Sequence, residues 1–264
     1  MLFRSGYDSD KTLPPMAADI RLISTDFDGT IHEDFAHAPV PDVFQDRIIG
    51  LQRQGVSWVI NTGRDLASLM ESLGRARVRV FPDFVVTVER EIHQHVRGHY
   101  QAVEPWHSNC TRDHATIFSD NATELRELFS ALESRYDATF YDDAWSPVCV
   151  IARSNDQMDA IQRDMEAFCA TVTALVPVRN DVYLRLSHRQ YSKGTALQEI
   201  QRLLGLEARH TFAAGDHLND LPMLRREVAH WLATPVNGLP VVKAQVQSEG
   251  GHLAELKCAA GVLE

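Results

Sequence analysis

The chain is short of several things, and each shortage removes a class of protein. Only four cysteines occur in 264 residues, Cys110, Cys149, Cys169 and Cys258, and none forms a C-x-x-C pair. A disulfide framework and a cysteine zinc site are therefore both disfavoured, and reduced thiols in the cytoplasm are expected. No apolar run approaches the roughly 20 residues that span a bilayer, and the N-terminus has no signal-type apolar core. Basic residues are outnumbered, 26 against 36 acidic, for a formal charge of -10. So acidic a surface repels nucleic acid and anionic lipid, and a phosphate-bearing partner needs a local cation. Neither fixed-period repeats nor low-complexity segments are present, which sets aside solenoids and disordered linkers.

What remains is an ordinary globular composition, 44% hydrophobic and 23% charged, long enough for one large or two modest domains. Residues 1–18, with Pro14-Pro15 and mixed polarity, read as a loose leader. From Ile20 short apolar runs alternate with amphipathic stretches, as in an α/β fold with a largely parallel sheet. "IRLIST", "VSWVINTG", "FPDFVVTV", "HTFAAGD" and "AHWLAT" read as strands, and "DVFQDRIIGLQRQG", "RDLASLMESLG", "SKGTALQEIQRLLGL" and the short "NDLPMLRR" as helices. Between residues 89 and 188 the pattern changes to strand-like "EIHQHVRGHYQAV", "DATFYDDAWSPVCVIAR" and "TALVPVRNDVYLRLS" with helical "TELRELFSALESRY" and "SNDQMDAIQRDMEAFCA". The expected layout is a core of residues 19–88 and 189–264 interrupted by an α+β cap at 89–188.

Parallel α/β sheets collect functional groups beyond the carboxyl ends of their strands. Four loops compatible with that edge carry a coherent set: Asp26 and Asp28 in "DFDGT", Thr62 in "INTGR", Lys193 in "YSKGTAL", and Asp216, Asn219 and Asp220 in "GDHLND". Two aspartates at the mouth of an apolar strand repel each other and lose solvation, so stability does not explain them. Metal-assisted phosphoryl transfer does. A carboxylate attacking a phosphate dianion needs a hard cation such as Mg²⁺ between the charges, with Asp26 and Asp216 as its carboxylates. Asp26 can then act as nucleophile, and Asp28 as the acid and base of the two half-reactions, provided it is protonated when substrate arrives. Lys193, the Thr62 hydroxyl and nearby backbone amides, Gly63 among them, would cradle the phosphoryl oxygens. Gly29 lets the chain turn sharply after the acids.

In this order the four motifs resemble those of the haloacid dehalogenase superfamily of phosphohydrolases, and the insert resembles the type IIB cap of its sugar phosphatases. The resemblance covers the core and is weak within the cap. It implies a Rossmann-like core, Asp26 as nucleophile, Asp28 as acid/base with its main-chain carbonyl on Mg²⁺, Thr62 and Lys193 as phosphate ligands, Asp216 as a metal ligand, and Asn219 and Asp220 as groups that orient ligands or water. The implied activity is Mg²⁺-dependent hydrolysis of a small phosphorylated metabolite, with no nucleic-acid or membrane partner. Alternatives are a phosphomutase on the same core or a non-catalytic phosphate-ligand binder. A dehalogenase needs neither the metal nor an acid at Asp28. Oligomeric state is not read from the sequence.

Two departures stand out. "VTVEREIH" replaces the Asn-Gly often found after the strand leading into the cap, and His217 stands where a small residue is common. If "VTVERE" is extended, Arg90 points opposite Glu89 and Glu91. Either Arg90 or the two glutamates, with Arg64 from the core, then read the leaving group, unless they form only a surface salt bridge. His93, His95 and His99 invite a metal reading, but a turn at Gly98 separates His99, so exposed or substrate-facing roles are favoured. Trp106, Trp145 and Tyr141 either pack the cap or line a sugar pocket.

Overall fold

The computed structural model describes residues 19–264; the leader expected at 1–18 lies outside the described residues. The apolar runs fold as strands β1 (Leu22–Thr25), β2 (Ser57–Asn61) and β3 (Phe84–Thr87), separated by helices α1 (Asp42–Arg53) and α2 (Leu66–Arg75). Strands β4 (Glu91–Val96) and β5 (His99–Ala102) follow, then α3 (Trp106–Asp120), α4 (Ala122–Arg135), β6 (Thr139–Tyr141), β7 (Cys149–Ile151), α5 (Asn155–Cys169), β8 (Leu175–Asn180) and β9 (Tyr183–His188). The chain closes with α6 (Lys193–Leu204), β10 (Thr211–Ala214), β11 (Trp231–Thr234), α7 (Pro240–Ser248), β12 (His252–Leu253) and α8 (Cys258–Val262).

The larger sheet has the order β12-β11-β10-β1-β2-β3-β4-β5. From β12 to β3 every neighbouring pair is parallel; β4 and β5 add on antiparallel. Successive side chains of a strand take opposite faces, so β1 feeds two layers. Leu22 joins Val59, Leu197, Ile200 and Val246 under α6 and α7, while Ile23 joins Trp58, Ile48, Leu51 and Leu69 under α1 and α2. A fully buried Leu or Ile contributes about 1.5–3 kcal/mol, which is why strands buried on both faces read as continuous apolar runs.

The smaller sheet, β6-β7-β9-β8, is antiparallel throughout. Leu184 and Leu186 of β9 pack with Met158, Ile161 and Met165 of α5 and Leu125 and Leu132 of α4. Only one face is covered by helices, and the alternate residues, Tyr183 and Arg185, look the other way, toward the core.

Four features depart from the sequence reading. Strands β4 and β5, grouped there with the insert, hydrogen-bond to β3 and extend the core sheet. The segment before them is not extended: Val88 (φ 42°) and Glu89 (φ 68°) are left-handed, so the chain reverses tightly onto β3. Helix α3 was not anticipated, and "NDLPMLRR" supplies only one 3-10 turn, Leu218–Asp220. All four cysteines are unpaired and buried. Among the described residues no helix is long and apolar enough to cross a membrane.

Candidate active site

The carboxyl edge of the parallel strands gathers the acidic residues. Asp26 follows β1 directly, and its N–H donates to the Ala214 carbonyl at the end of β10 (2.9 Å). That bond sets Asp26 beside the loop carrying Asp216. Gly29 lies between them with φ 76°, and a Cβ there would come 2.4 Å from Asp216 Oδ2. Both the backbone angle and the space therefore demand glycine. The Thr30 hydroxyl donates to Asp216 Oδ1 (2.8 Å).

Lys193 enters from the first turn of α6. Ser192 caps that helix in a reciprocal box with Thr195, and Asn61 at the end of β2 donates through Nδ2 to the Lys193 carbonyl (3.0 Å). So anchored, the Lys193 ammonium is fully buried between Asp26 Oδ1 and Asp220 Oδ1, 2.7 Å from each. The other oxygen of Asp220 accepts the Asp216 and His217 N–H groups, both at 2.9 Å. Asp220 is thus committed to holding the loop and the lysine.

Charge does not balance in this nest. Asp26, Asp216 and Asp220 each offer an oxygen within 4.8 Å of the others, and Lys193 supplies one positive charge against the three. Burial and then Asp220 push Asp26 well above the usual carboxylate range, against the pull of Lys193. Burial and Asp220 likewise carry Asp216 up to about 7. Burial would lower Lys193, but Asp220 and Asp26 outweigh it and raise the ammonium. Two uncompensated negative charges among oxygen donors suit a hard divalent cation. Because both oxygens of Asp220 are engaged, Asp26 and Asp216 are the carboxylates free to hold one.

Asp28 has a different environment. The Arg64 fork clasps it through Nε–Oδ2 (2.6 Å) and Nη2–Oδ1 (2.7 Å), and His32 Nδ1 stands 3.4 Å from Oδ1. Burial would raise this carboxyl, but the nearby His32 imidazole and the hydrogen bonds and charge of Arg64 prevail and hold it down to about 2. Asp28 therefore rests as a carboxylate, and the acid role, which requires it to be protonated when substrate arrives, needs it to gain a proton first. Arg64 is itself fixed by Ser72 and Ser68 of α2 at 2.9 and 3.3 Å.

Thr62 is buried beside this group, its hydroxyl accepting the Arg64 N–H (3.2 Å). Gly63 and Asn219 come together over Glu89: Asn219 Nδ2 donates to Glu89 Oε1 (2.9 Å), and a Cβ on Gly63 would come 3.1 Å from that oxygen. A cleft of about 560 Å³ opens above, floored by Asp28, Gly63, Arg64 and Glu89 and roofed by the open face of the smaller sheet. Tyr141, Asn180, Tyr183 and Arg185 line that roof, and Arg185 Nη1 is buried without a hydrogen-bond partner among the described residues.

Arg90 is not in this cleft. The turn at Val88 and Glu89 sends its guanidinium to the base of the small sheet, where it donates to Ser187 Oγ (3.0 Å) and the Trp145 carbonyl (2.7 Å). Glu91 accepts the Trp145 indole N–H (3.0 Å), and Trp106 donates to the Arg90 carbonyl (2.7 Å). Trp145 therefore ties the loop before β7 to β4, and Trp106 ties α3 to the turn before β4, while Tyr141 faces the cleft. His217 also reaches across, its ring accepting the Asp181 N–H (3.1 Å). His93, His95 and His99 do not converge: His95 stacks on Phe81, His99 is exposed, and burial followed by the charge of His107 lowers His93 to about 4.

Sequence reasoning missed Asn61, the Arg64–Asp28 clasp and the roof residues Asn180, Tyr183 and Arg185. Asn61 had a signal, being next to Thr62 in "NTG". The roof residues had none beyond strand alternation.

A family model of haloacid dehalogenase-like hydrolases matches residues 92–231, more than half of the chain. The chain belongs to that family. As a haloacid dehalogenase-like hydrolase it carries Lys193 and Asp216 inside the matched range, with Asp26, Asp28 and Thr62 before it. It is similar to the sucrose-phosphatase of Synechocystis sp. PCC6803, solved with sucrose and phosphate: 18% identity, TM-score 0.71, covering 93% of this chain and 96% of that one. A haloacid dehalogenase-like hydrolase of Bacteroides thetaiotaomicron is 16% identical, with TM-score 0.59 over 92% and 97% of the two chains. YxeH of Bacillus subtilis, which carries the description of a phosphatase, is 22% identical over 77% of this chain and 83% of its own.

Proposed function

We propose that this hydrolase is a Mg²⁺-dependent phosphatase that removes the phosphoryl group of a small phosphorylated metabolite, a sugar phosphate foremost, through an aspartyl-phosphate. The observation that carries the reading is the buried nest of Asp26, Asp216, Asp220 and Lys193 with its two unbalanced negative charges. Asp26 and Asp216 would hold the cation, with the Asp28 main-chain carbonyl. Bound there, Mg²⁺ supplies the charge that lets a carboxylate meet a phosphate dianion.

The residues then divide the work. Asp26 attacks phosphorus through a side-chain oxygen and the bond to the leaving oxygen breaks; water next attacks the aspartyl-phosphate and returns Asp26. Lys193 orients Asp26 and faces the charge on the phosphoryl oxygens, and Thr62 with the Gly63 amide adds donors. Asp28, clasped by Arg64, rests in the form that accepts a proton from water in the second step. To protonate a leaving alkoxide in the first it must gain a proton as Arg64 turns toward substrate. Glu89, Asn180, Tyr141, Tyr183 and Arg185 present acceptors and donors suited to hydroxyl groups across the cleft. The sucrose bound to the Synechocystis enzyme is in keeping with a sugar, though the two chains share only 18% identity.

The test is phosphate release from a panel of phosphorylated metabolites with purified protein and Mg²⁺. Turnover of a sugar phosphate well above that of a generic aryl phosphate is expected. Binding without release would mark a phosphate-ligand binder, and transfer to a second substrate hydroxyl a mutase.

A further inference from the structure

A second cluster of ligating side chains lies away from the cleft, where the two sheets join. Glu91 and His93 are alternate residues of β4 and so share one face. Helix α3 brings His107, in its first turn, against them. One ligand atom from each of the three lies within 4.8 Å of the others, and the two imidazole rings meet edge to face with centroids 5.9 Å apart. None of the three lines the catalytic cleft.

Two observations set this group apart from a chance grouping. His93 is only 8% exposed, and the Nδ1 atoms of both His93 and His107 are buried with no hydrogen-bond partner among the described residues. Leaving two such atoms bare in one place is costly, and a buried, neutral imidazole is the form that ligates metals. Glu91, meanwhile, is oriented by the Trp145 indole N–H at 3.0 Å, the kind of outer hydrogen bond that steadies a ligating carboxylate. Arg90 is the nearest cation in sequence, but its guanidinium is drawn off to Ser187 and the Trp145 carbonyl.

We propose that Glu91, His93 and His107 form a second cation site, for zinc or a similar borderline divalent ion, that ties the core sheet to the first helix of the cap. Two nitrogens and one carboxylate oxygen favour zinc over magnesium, which prefers an all-oxygen shell. The ion spans β4 and α3, so its effect is mechanical: it fixes the base on which the small sheet stands.

The experiment uses the full chain, stripped with chelator, supplied with excess Mg²⁺ to fill the catalytic nest, and dialysed against Zn²⁺. One zinc per chain is expected, retained in Asp216→Asn and lost in His107→Gln and His93→Gln. Trp145→Phe should weaken binding ~10-fold through the outer hydrogen bond. Co²⁺ in place of Zn²⁺ should give the intense visible absorption of a tetrahedral site, absent in His107→Gln. Zinc should raise Tm in the wild type and not in that variant. His107 sits partly exposed at a helix start, so its replacement leaves the fold intact and decides the matter even if His93→Gln does not fold. Zinc that is absent from the wild type, that disappears with Asp216→Asn, or that persists in His107→Gln overturns the proposal.

Discussion

The floor and the roof of the cleft are built on different terms. The floor, with the buried acidic nest beside it, is made of charged groups tied to one another: Arg64 to Asp28 by a two-pronged clasp on the floor, and in the nest Lys193 to Asp26 and Asp220 and Asp220 to two backbone amides. The roof presents single polar side chains with few mutual bonds, among them Arg185, whose Nη1 has no hydrogen-bond partner among the described residues and only a long ion pair, 3.7 Å, to Asp143. On the proposed function, a floor so bound to itself would perform one chemistry on whatever phosphate reaches it, and a roof with spare donors and acceptors would discriminate among what is attached to that phosphate.

The contrast can be broken most sharply at the floor. Asp26→Asn removes the proposed nucleophile and should lower turnover by roughly four powers of ten or more. It also removes one of three crowded carboxylates, so Tm should hold or rise; activity close to wild type would end the floor's claim to the chemistry. Next in size is Asp28. Asp28→Asn should cost about 10²–10⁴-fold on a sugar phosphate and clearly less on p-nitrophenyl phosphate, whose leaving group needs no proton. Equal first-step losses in single-turnover assays would remove the acid role.

The metal prediction concerns pH. Asp216 rests near 7 without a cation, so below that value it is protonated, and Mg²⁺ must displace the proton to bind. The raised pKa also means that ionising Asp216 destabilises the metal-free fold as pH rises from the unfolded value toward 7. Mg²⁺ should therefore bind about tenfold more weakly at pH 6 than at pH 8, and raise Tm more at the higher pH. Calorimetric affinities that do not change with pH would contradict this charge balance.

Effects at the roof should be smaller and selective. Arg185→Ala should lower kcat/KM for the preferred metabolite by ~10–100-fold while leaving a small aryl phosphate nearly untouched, because remote binding groups help only substrates that possess their partners. Arg90→Ala should do neither. Its guanidinium joins the two sheets outside the cleft, so a loss of about 2 kcal/mol in stability, read from denaturant midpoints, should accompany an unchanged substrate ratio.

The acids at the strand ends were legible in the sequence because each motif is local. "DFDGT" and "GDHLND" hold their acids within a few residues, and β1, β2 and β10 are apolar runs buried on both faces, which fix where those acids emerge. What joins distant segments was not legible. The clasp between Arg64 and Asp28 spans 36 residues and is a matter of side-chain reach; it holds Asp28 as a carboxylate at rest. Helix α3, "WHSNCTRDHATIFSD", buries only Cys110 and His114, too sparse an apolar stripe to announce a helix, and with it His107 was missed. The turn at Val88 and Glu89 carries neither Gly nor Asn, so nothing forewarned of two left-handed residues, and Arg90 stood with the Glu89/Glu91 pair as one of two alternatives for reading the leaving group.

The most direct measurement is to quench the enzyme in acid during its first turnover of phosphate-labelled substrate with Mg²⁺, reduce with borohydride, and map the product by mass spectrometry. Label should appear on the protein at a rate able to support turnover, and reduction should convert residue 26 alone to homoserine. An active enzyme that never carries label on Asp26, or that carries it on another side chain, would contradict the mechanism.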